Sequence, residues 1–234
     1  MIGIVCGTRR EATVLAELGH RHLISIALSA AKPDQAEQRA RDLIEAGATS
    51  LLSAGVAGGL SPNLKTGDLI FANRIVYEET EWTADTPPHQ QSDAWIRNDK
   101  TVSVGTIIGA DEAIGSADQK QELWQRFGAL GVDMESHRVA LVAQQAGIPL
   151  RVLRVIVDDA TQTLPRCALN GISPQGREVI GPVLLGLMQR PFELPGLLSL
   201  AKRYTIALNS LHNMLSDPDF VDEWIAETPV RSGV

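Results

Sequence analysis

The stretch Ser50-Leu51-Leu52-Ser53-Ala54-Gly55-Val56-Ala57-Gly58-Gly59 decides the fold class, because an apolar run of strand length leads straight into a cluster of glycines. Such a run reads as a strand buried on both faces, here Ser50 to Ala54, followed by a tight turn over Gly55 to Gly59. The chain opens in the same way: Ile2-Gly3-Ile4-Val5-Cys6 is apolar and stops at Gly7. Between these two strands, Arg9 to Leu18 places Val14, Leu15 and Leu18 on one helical face and ends at Gly19. His22 to Ser29 reads as a strand, and Asp34 to Ala46 as a helix with Ala36, Ala40, Leu43 and Ile44 inward, stopped by Gly47.

Downstream the alternation continues. Asp68 to Tyr77 and Thr101 to Ile108 are expected strands, and the polar stretch between them, Glu78 to Asp99 with its Pro87-Pro88 pair, is expected as a surface excursion. Ala117 to Phe127 and Ser136 to Ala146 are expected helices around a short strand ending near Asp133. Arg151 to Val157 is a strand that delivers Asp158 and Asp159 at its carboxyl end. Strands alternating with helices predict an α/β fold in three layers, α/β/α, with a mixed and mostly parallel central sheet, and the chain length fits one large domain as readily as two small ones. From Pro174 to Leu215 the chain turns strongly apolar, with Val183, Leu184, Leu185, Leu187, Met188, Phe192, Leu194, Leu197, Leu198 and Leu200. Pro182, Pro191 and Pro195 are expected to break it into pieces ahead of a closing helix, Ala201 to Leu215.

Composition narrows the function classes. The 234 residues are 44% hydrophobic and 21% charged, which is globular, and the net charge of −7 opposes a nucleic-acid backbone as partner. Cys6 and Cys167 are too few for a disulfide framework and suit a reducing compartment. The apolar start is cut off by Arg9, Arg10 and Glu11, and no apolar run approaches the ~20 residues of a membrane span, so a cytoplasmic protein is expected. His20 and His22 form a pair that no cysteine or acidic cluster completes, so no metal is expected. Gly55 to Gly59 lacks the Lys-Ser/Thr of a phosphate-cradling loop, and the serines lack a nucleophile-elbow context.

What remains is acidic. Three segments end a strand at a carboxylate: Glu11 after the first strand, Glu135 after Asp133-Met134, and Asp158 after Arg151 to Val157. Ligands gather at the carboxyl edge of an α/β sheet, so these acids are the candidates for chemistry. Each also has an ordinary alternative: Glu11 as a first-turn helix carboxylate, Met134 as core beside an exposed Glu135, and Asp158 as a cap.

With these acids in place, the chain resembles the nucleoside phosphorylase and methylthioadenosine/adenosylhomocysteine nucleosidase superfamily. The carrying segments are Ile2 to Glu11, Ala54-Gly55-Val56-Ala57-Gly58-Gly59-Leu60 through Lys65-Thr66-Gly67-Asp68, Val132-Asp133-Met134-Glu135, and Arg154-Val155-Ile156-Val157-Asp158. The resemblance implies cleavage of the bond between ribose and a purine, without a metal or other cofactor, phosphate staying open as co-substrate. It gives Asp158 the role of general acid toward N7, Glu11 that of orienting the attacking water, and Glu135 with Met134 that of holding the ribose. Gly58 and Gly59 would bring backbone close to the sugar or the nucleophile, and Ala113 and Ile114 would frame the base.

Two departures from the family pattern stand out. Val56 replaces the usual serine before Ala-Gly-Gly, and Arg9 and Arg10 sit in the first loop, where with Gly7 they could form an anion site instead of a solvated helix start. Phosphorolysis and hydrolysis both stay open. Arg190-Pro191 ahead of the Leu-rich segment looks like the hopanoid-associated branch, which implies release of adenine from adenosylhopane. The chain then reads as one phosphorylase-like domain, 1–234, with segment 161–215 as lid, substrate wall or interface. Contact with a membrane periphery and a homo-oligomer are the expected associations. The alternatives are a methylthioadenosine/adenosylhomocysteine nucleosidase, a general purine nucleoside phosphorylase, or a non-catalytic nucleoside-binding protein that keeps the fold.

Overall fold

The computed structural model describes residues 1–87, 94–165, 167–168 and 189–226. Among the described residues nine strands carry the sheet: β1 (Ile2–Cys6), β2 (Ile24–Leu28), β3 (Ser50–Gly59), β4 (Leu69–Tyr77), β5 (Thr80–Thr83), β6 (Ala94–Arg97), β7 (Lys100–Gly109), β8 (Gly131–Asp133) and β9 (Leu150–Asp158). The helices are α1 (Arg9–Leu15), α2 (Pro33–Glu45), α3 (Ala117–Phe127), α4 (Ser136–Ala146), α5 (Leu194–Leu215) and α6 (Pro218–Ala226). This is the α/β class expected, with a mixed sheet in which β1 pairs in parallel with β2 and β3, and β3 with β9.

The sheet does more than stack between helices, because it closes. β3 pairs with β9, β9 with β4, β4 with β7, β7 with β8, and β8 back with β3. Glycines make the closure fit: a Cβ at Gly105 would stand 2.6 Å from Leu130, and one at Gly131 would stand 2.9 Å from Ile70.

Side-chain alternation splits the core by face. Leu153, Val155 and Val157 of β9 join Leu15 of α1, Ala207 and Leu211 of α5 and Trp224 of α6. Val152 and Ile156 turn the other way, toward Ala36 and Ala40 of α2 and Val139 and Ala143 of α4. Arg154 falls in register with the second set, and it is fully buried there.

Three expectations change. Gly55 to Gly59 is not a turn. It continues β3, and β9 pairs along it from Leu51↔Leu150 to Gly58↔Asp158 with an irregularity at Ala57/Gly58. The backbone stays extended because the ladder satisfies its N–H and C=O groups, while the missing side chains leave room for acidic neighbours. The excursion from Glu78 to Asp99 contributes β5 and β6 to the sheet, and it buries Trp82. Asn98 and Asp99, at φ 48° and 59°, form the left-handed pair that a two-residue hairpin between β6 and β7 requires. Pro195 starts a helix instead of breaking one: its missing N–H costs nothing in the first turn of α5, which runs on to Leu215. Pro88, Pro174, Pro182 and the apolar residues from Val183 to Met188 lie outside the described residues.

α6 locks the α1/α5 side. Trp224 is buried and meets Phe71 of β4 edge-on at 4.9 Å, and its carbonyl accepts a 3.0 Å hydrogen bond from Arg151 Nε. Trp224→Ala should lower unfolding stability by about 3–5 kcal/mol in a urea titration followed by circular dichroism, the range for an emptied aromatic site.

Candidate active site

The first loop organises the site. Thr8 caps α1, its hydroxyl accepting from Glu11 N–H at 3.3 Å, and Glu11 answers by accepting from Thr8 N–H at 2.9 Å. This capping box requires a Thr and a Glu three residues apart, and it turns the Glu11 carboxylate back over the loop. Gly7 N–H also donates to Glu11 Oε2 at 2.8 Å, and Val56 N–H of β3 donates to Oε1 at 3.2 Å. Three backbone N–H groups from two segments therefore hold one buried carboxylate. Helix capping and an inward-facing acid coincide in a single residue.

Glu135 comes to the same place from the far side of the sheet. It sits at the N-cap position of α4, and its Oε1 accepts from Ser29 Oγ at 2.8 Å. A Cβ at Gly7 would lie 2.8 Å from Glu135 Oε1 and 3.1 Å from Glu11 Oε2, so the two carboxylates converge on that glycine. Gly55 has the same role for Glu11, whose carboxyl carbon would be 3.1 Å from an added Cβ. A side chain at either position would push these carboxylates out of place.

Arg154 is what permits two buried acids side by side. Its guanidinium reaches Glu135 Oε2 at 3.3 Å and Ser53 Oγ at 2.6 Å, meets Ser136 Oγ at 3.0 Å and pairs closely with Asp133. Asp133 in turn accepts from the Ser136 N–H that opens α4, at 3.1 Å. Burial pushes the Glu135 carboxyl up to about 7, Asp133 and Glu11 add to that, and Arg154 and Ser29 oppose it. Burial also raises Glu11, against the pull of its backbone N–H partners and Arg154.

Asp158 stands at the other end of the glycine stretch. It ends β9 opposite Gly58, where an added Cβ would be 3.6 Å from its Oδ2, and Gly59 packs against its backbone. Lys120 of α3 pairs with Asp158 Oδ2, both side chains almost wholly buried. Burial raises the Asp158 carboxyl and Lys120 opposes the rise. β3 thus runs past all three acids, with Glu11 at Gly55 and Val56, Glu135 beside Glu11, and Asp158 at Gly58.

The remaining expected residues are distributed as follows. Met134 is half-buried next to Glu135, Val56 is half-buried and offers its N–H, and Gly58 and Gly59 lie nearer Asp158 than the first loop. Arg9 is exposed, while Arg10 turns outward to α5, donating to Thr205 Oγ1 at 3.3 Å and lying 5.0 Å over the Tyr204 ring. Ala113 is exposed, and Ile114 packs beside the cluster of Leu60, Ile108 and Val132. α5 covers the first loop through Tyr204 Oη, 2.6 Å from Thr8 Oγ1. A cleft lined by Leu69, Arg97, Lys100, Asn209 and Met214 contains none of the three acids.

Sequence reasoning missed Arg154 as a partner of the acids and missed Lys120 altogether. Arg154 could have been found from strand register, since a charge at the centre of an apolar β9 must be paired. Lys120 gave no such signal, because a lysine in a helix is ordinarily a solvated one.

A family model described as "Phosphorylase superfamily" matches residues 2–169. Among curated proteins, aminodeoxyfutalosine nucleosidase of Helicobacter pylori is 31% identical over 134 residues, covering 50% of this chain and 58% of that protein. A 5′-methylthioadenosine/S-adenosylhomocysteine nucleosidase of Staphylococcus haemolyticus is 27% identical over 127 residues, 46% of this chain and 56% of its own length. The aligned region thus spans a little over half the length of these relatives. Two solved structures share the fold across nearly the whole chain. The H. pylori nucleosidase of the same name with butyl-thio-DADMe-Immucillin-A has TM-score 0.66 at 21% identity, covering 97% of this chain and 98% of that one. The Neisseria meningitidis enzyme with methylthio-immucillin-A has TM-score 0.67 at 15% identity, covering 97% and 99%.

The raised Glu135 carboxyl links the site to stability. Between its ordinary value of 4.5 and about 7 the folded protein binds a proton that the unfolded chain has released. That contribution is complete below pH 4.5 and is lost as pH rises through about 7. Urea midpoints measured across this window should fall with rising pH more steeply for the native protein than for Glu135→Gln; parallel curves would refute the assignment.

Proposed function

Because this chain belongs to the phosphorylase superfamily, we propose that it hydrolyses the bond between ribose and base in a purine nucleoside. The observation that carries the hydrolytic reading is the carboxylate of Glu11 held by the N–H groups of Gly7, Thr8 and Val56. Backbone N–H groups gathered in this way are an anion site. Here an internal anion, the Glu11 carboxylate, already occupies them, so a phosphate arriving at the loop would meet a negative charge. A neutral water fits that environment.

In the reaction we assign, Glu135 accepts hydrogen bonds from the ribose hydroxyls, with Met134 against the sugar. As the C1′–N9 bond breaks, its electron pair passes to the base and Asp158 gives a proton to N7. Water forms the new bond at C1′ and yields a proton to Glu11. The carboxylates flanking the sugar stabilise its developing positive charge. Free purine and a ribosyl product result, and no metal or redox group is required by this balance.

For the 5′ substituent we propose a bulky apolar group, of the kind found in adenosylhopane. Phe192, just ahead of α5, and Leu194 and Leu198 in its first turns are exposed, and later turns of α5 reach the first loop through Tyr204. Leu194 and Leu198 are four residues apart and share a helical face. A triterpenoid laid on such a surface would gain ~25 cal/mol per Å² of apolar area removed from water. The same side chains would let the protein rest on a bilayer, and no helix among the described residues is long and apolar enough to cross one. The names of the sequence relatives favour a second reading, in which the substituent is small, as in methylthioadenosine, or is that of aminodeoxyfutalosine.

Base release followed by chromatography, with an adenosyl lipid, methylthioadenosine and inosine offered in parallel, separates these substrates. Turnover should be unchanged when phosphate is removed; strict dependence on phosphate would overturn the hydrolytic reading. Asp158→Asn should lower kcat by about 100-fold or more, the scale of general acid catalysis, and Glu11→Gln should abolish release in the absence of phosphate. Near-native activity in either variant would defeat its assigned role.

A further inference from the structure

Lys120 is the fully buried lysine of α3, and its ammonium has three donors. All three are used: on Asp158 Oδ2, on the Asp159 carbonyl at 2.9 Å and on the Gln162 carbonyl at 2.9 Å. A neutral amine has only two N–H groups, so this arrangement selects the charged form. Two of the acceptors belong to the loop that follows β9. That loop is tied again where Leu164 N–H donates to the Gly115 carbonyl at 2.8 Å, ahead of α3. The lysine therefore joins the acid, the loop behind it and α3 into one unit.

We propose that Lys120 is a positioning residue for Asp158: it pins one carboxylate oxygen, leaves the other free for the base, and offsets the negative charge that appears when the proton departs. This rests on the hydrolytic reading above. In that step the Oδ1 proton moves to N7 while the C1′–N9 electron pair goes to the base. Asp158 is left as a carboxylate, and Lys120 remains an ammonium throughout.

A buried carboxyl with no cation would hold its proton tightly and be a poor donor, because the charge it leaves behind has no solvent. With a cation on Oδ2 the same group donates readily. Among the described residues, the other charged groups facing Asp158 are Arg203 from α5 and the adjacent Asp159, while Gly58 and Val132 line the β3 and β8 side without charge. Lys120 is the one among the described residues in direct contact.

The consequence is a signature that loss of packing alone would not give. Removing the lysine weakens the acid, so kcat for a purine nucleoside should fall by roughly tenfold or more. It also makes Asp158 keep its proton to higher pH, so the alkaline limb of the kcat profile should move up by about one pH unit or more. A riboside with a p-nitrophenolate leaving group needs no protonation and should lose far less than the purine substrate.

The experiment compares native protein with Lys120→Met and Lys120→Arg on both substrates from pH 5 to about 10, circular dichroism confirming the fold. Lys120→Gln keeps an NH₂ donor for the two carbonyls and takes the place of the methionine variant if that one does not fold. The expected result is a lower kcat, an upward-shifted limb and a substrate-selective loss in Lys120→Met, with the limb left in place by Lys120→Arg. An unmoved limb in a folded, charge-free variant, or an equal loss on both substrates, overturns the proposal. A native protein that releases no base from any nucleoside refutes the hydrolytic reading itself, an outcome distinct from an active native enzyme indifferent to Lys120.

Discussion

The guanidinium of Arg154 is the interaction on which the rest depends. Glu11, Glu135 and Asp133 are all buried, and three carboxylates taken out of water together repel one another and lose their hydration. Arg154 meets Asp133 and Glu135 directly and lowers the energy of an ionised Glu11 at longer range. Taking one partner from a buried ion pair typically costs about 3–5 kcal/mol, a large share of the roughly 5–15 kcal/mol that holds a domain folded. The centre of the sheet therefore depends on the one guanidinium that offsets part of this negative charge. Burial, with Asp133 and Glu11 beside it, still holds the Glu135 carboxyl up at about 7 against the pull of Arg154, so that small changes around it alter its proton.

β3 supplies the complementary constraint, which is space. A strand of ordinary side chains would keep Glu11 and Asp158 away from the backbone. The Gly55 to Gly59 stretch instead lets one carboxylate lie against Gly55 and the other against Gly58, and Gly7 does the same where Glu11 and Glu135 meet. Closure of the sheet through β8 brings Asp133 and the start of α4 up to this strand, which is how residues far apart in the chain come to share one region. Glu11 also closes the capping box of α1, so at that residue a local folding signal and the candidate chemistry are carried by one side chain, whereas Glu135 precedes α4 without capping it through its side chain.

Much of this was legible from sequence where the cause is local. The boundaries of α3 and α4 follow from periodicity and from Gly128 and Gly147, both left-handed stops just past the helix ends. The three acids were visible as strand endings. What could not be read was anything set by pairing at a distance. The glycines of β3 look like a turn until β9 is laid beside them, and β5 and β6 look like a loop until β4 and β7 provide ladders. Pro195 reads as a breaker in the sequence, because a proline's effect depends on whether it falls in the first turn or the interior of a helix. Lys120 was hidden for the same reason, since only the tertiary fold buries it against Asp158.

The central claim is that Glu11, Glu135 and Asp158 surround one purine nucleoside along β3. A crystal structure with a non-hydrolysable purine nucleoside analogue tests it most directly. The account predicts the purine N7 within hydrogen-bond distance of Asp158, the ribose hydroxyls on Glu135, and a water between Glu11 and the anomeric carbon. An analogue bound instead in the cleft of Leu69, Arg97 and Lys100, with the three acids untouched, would contradict it.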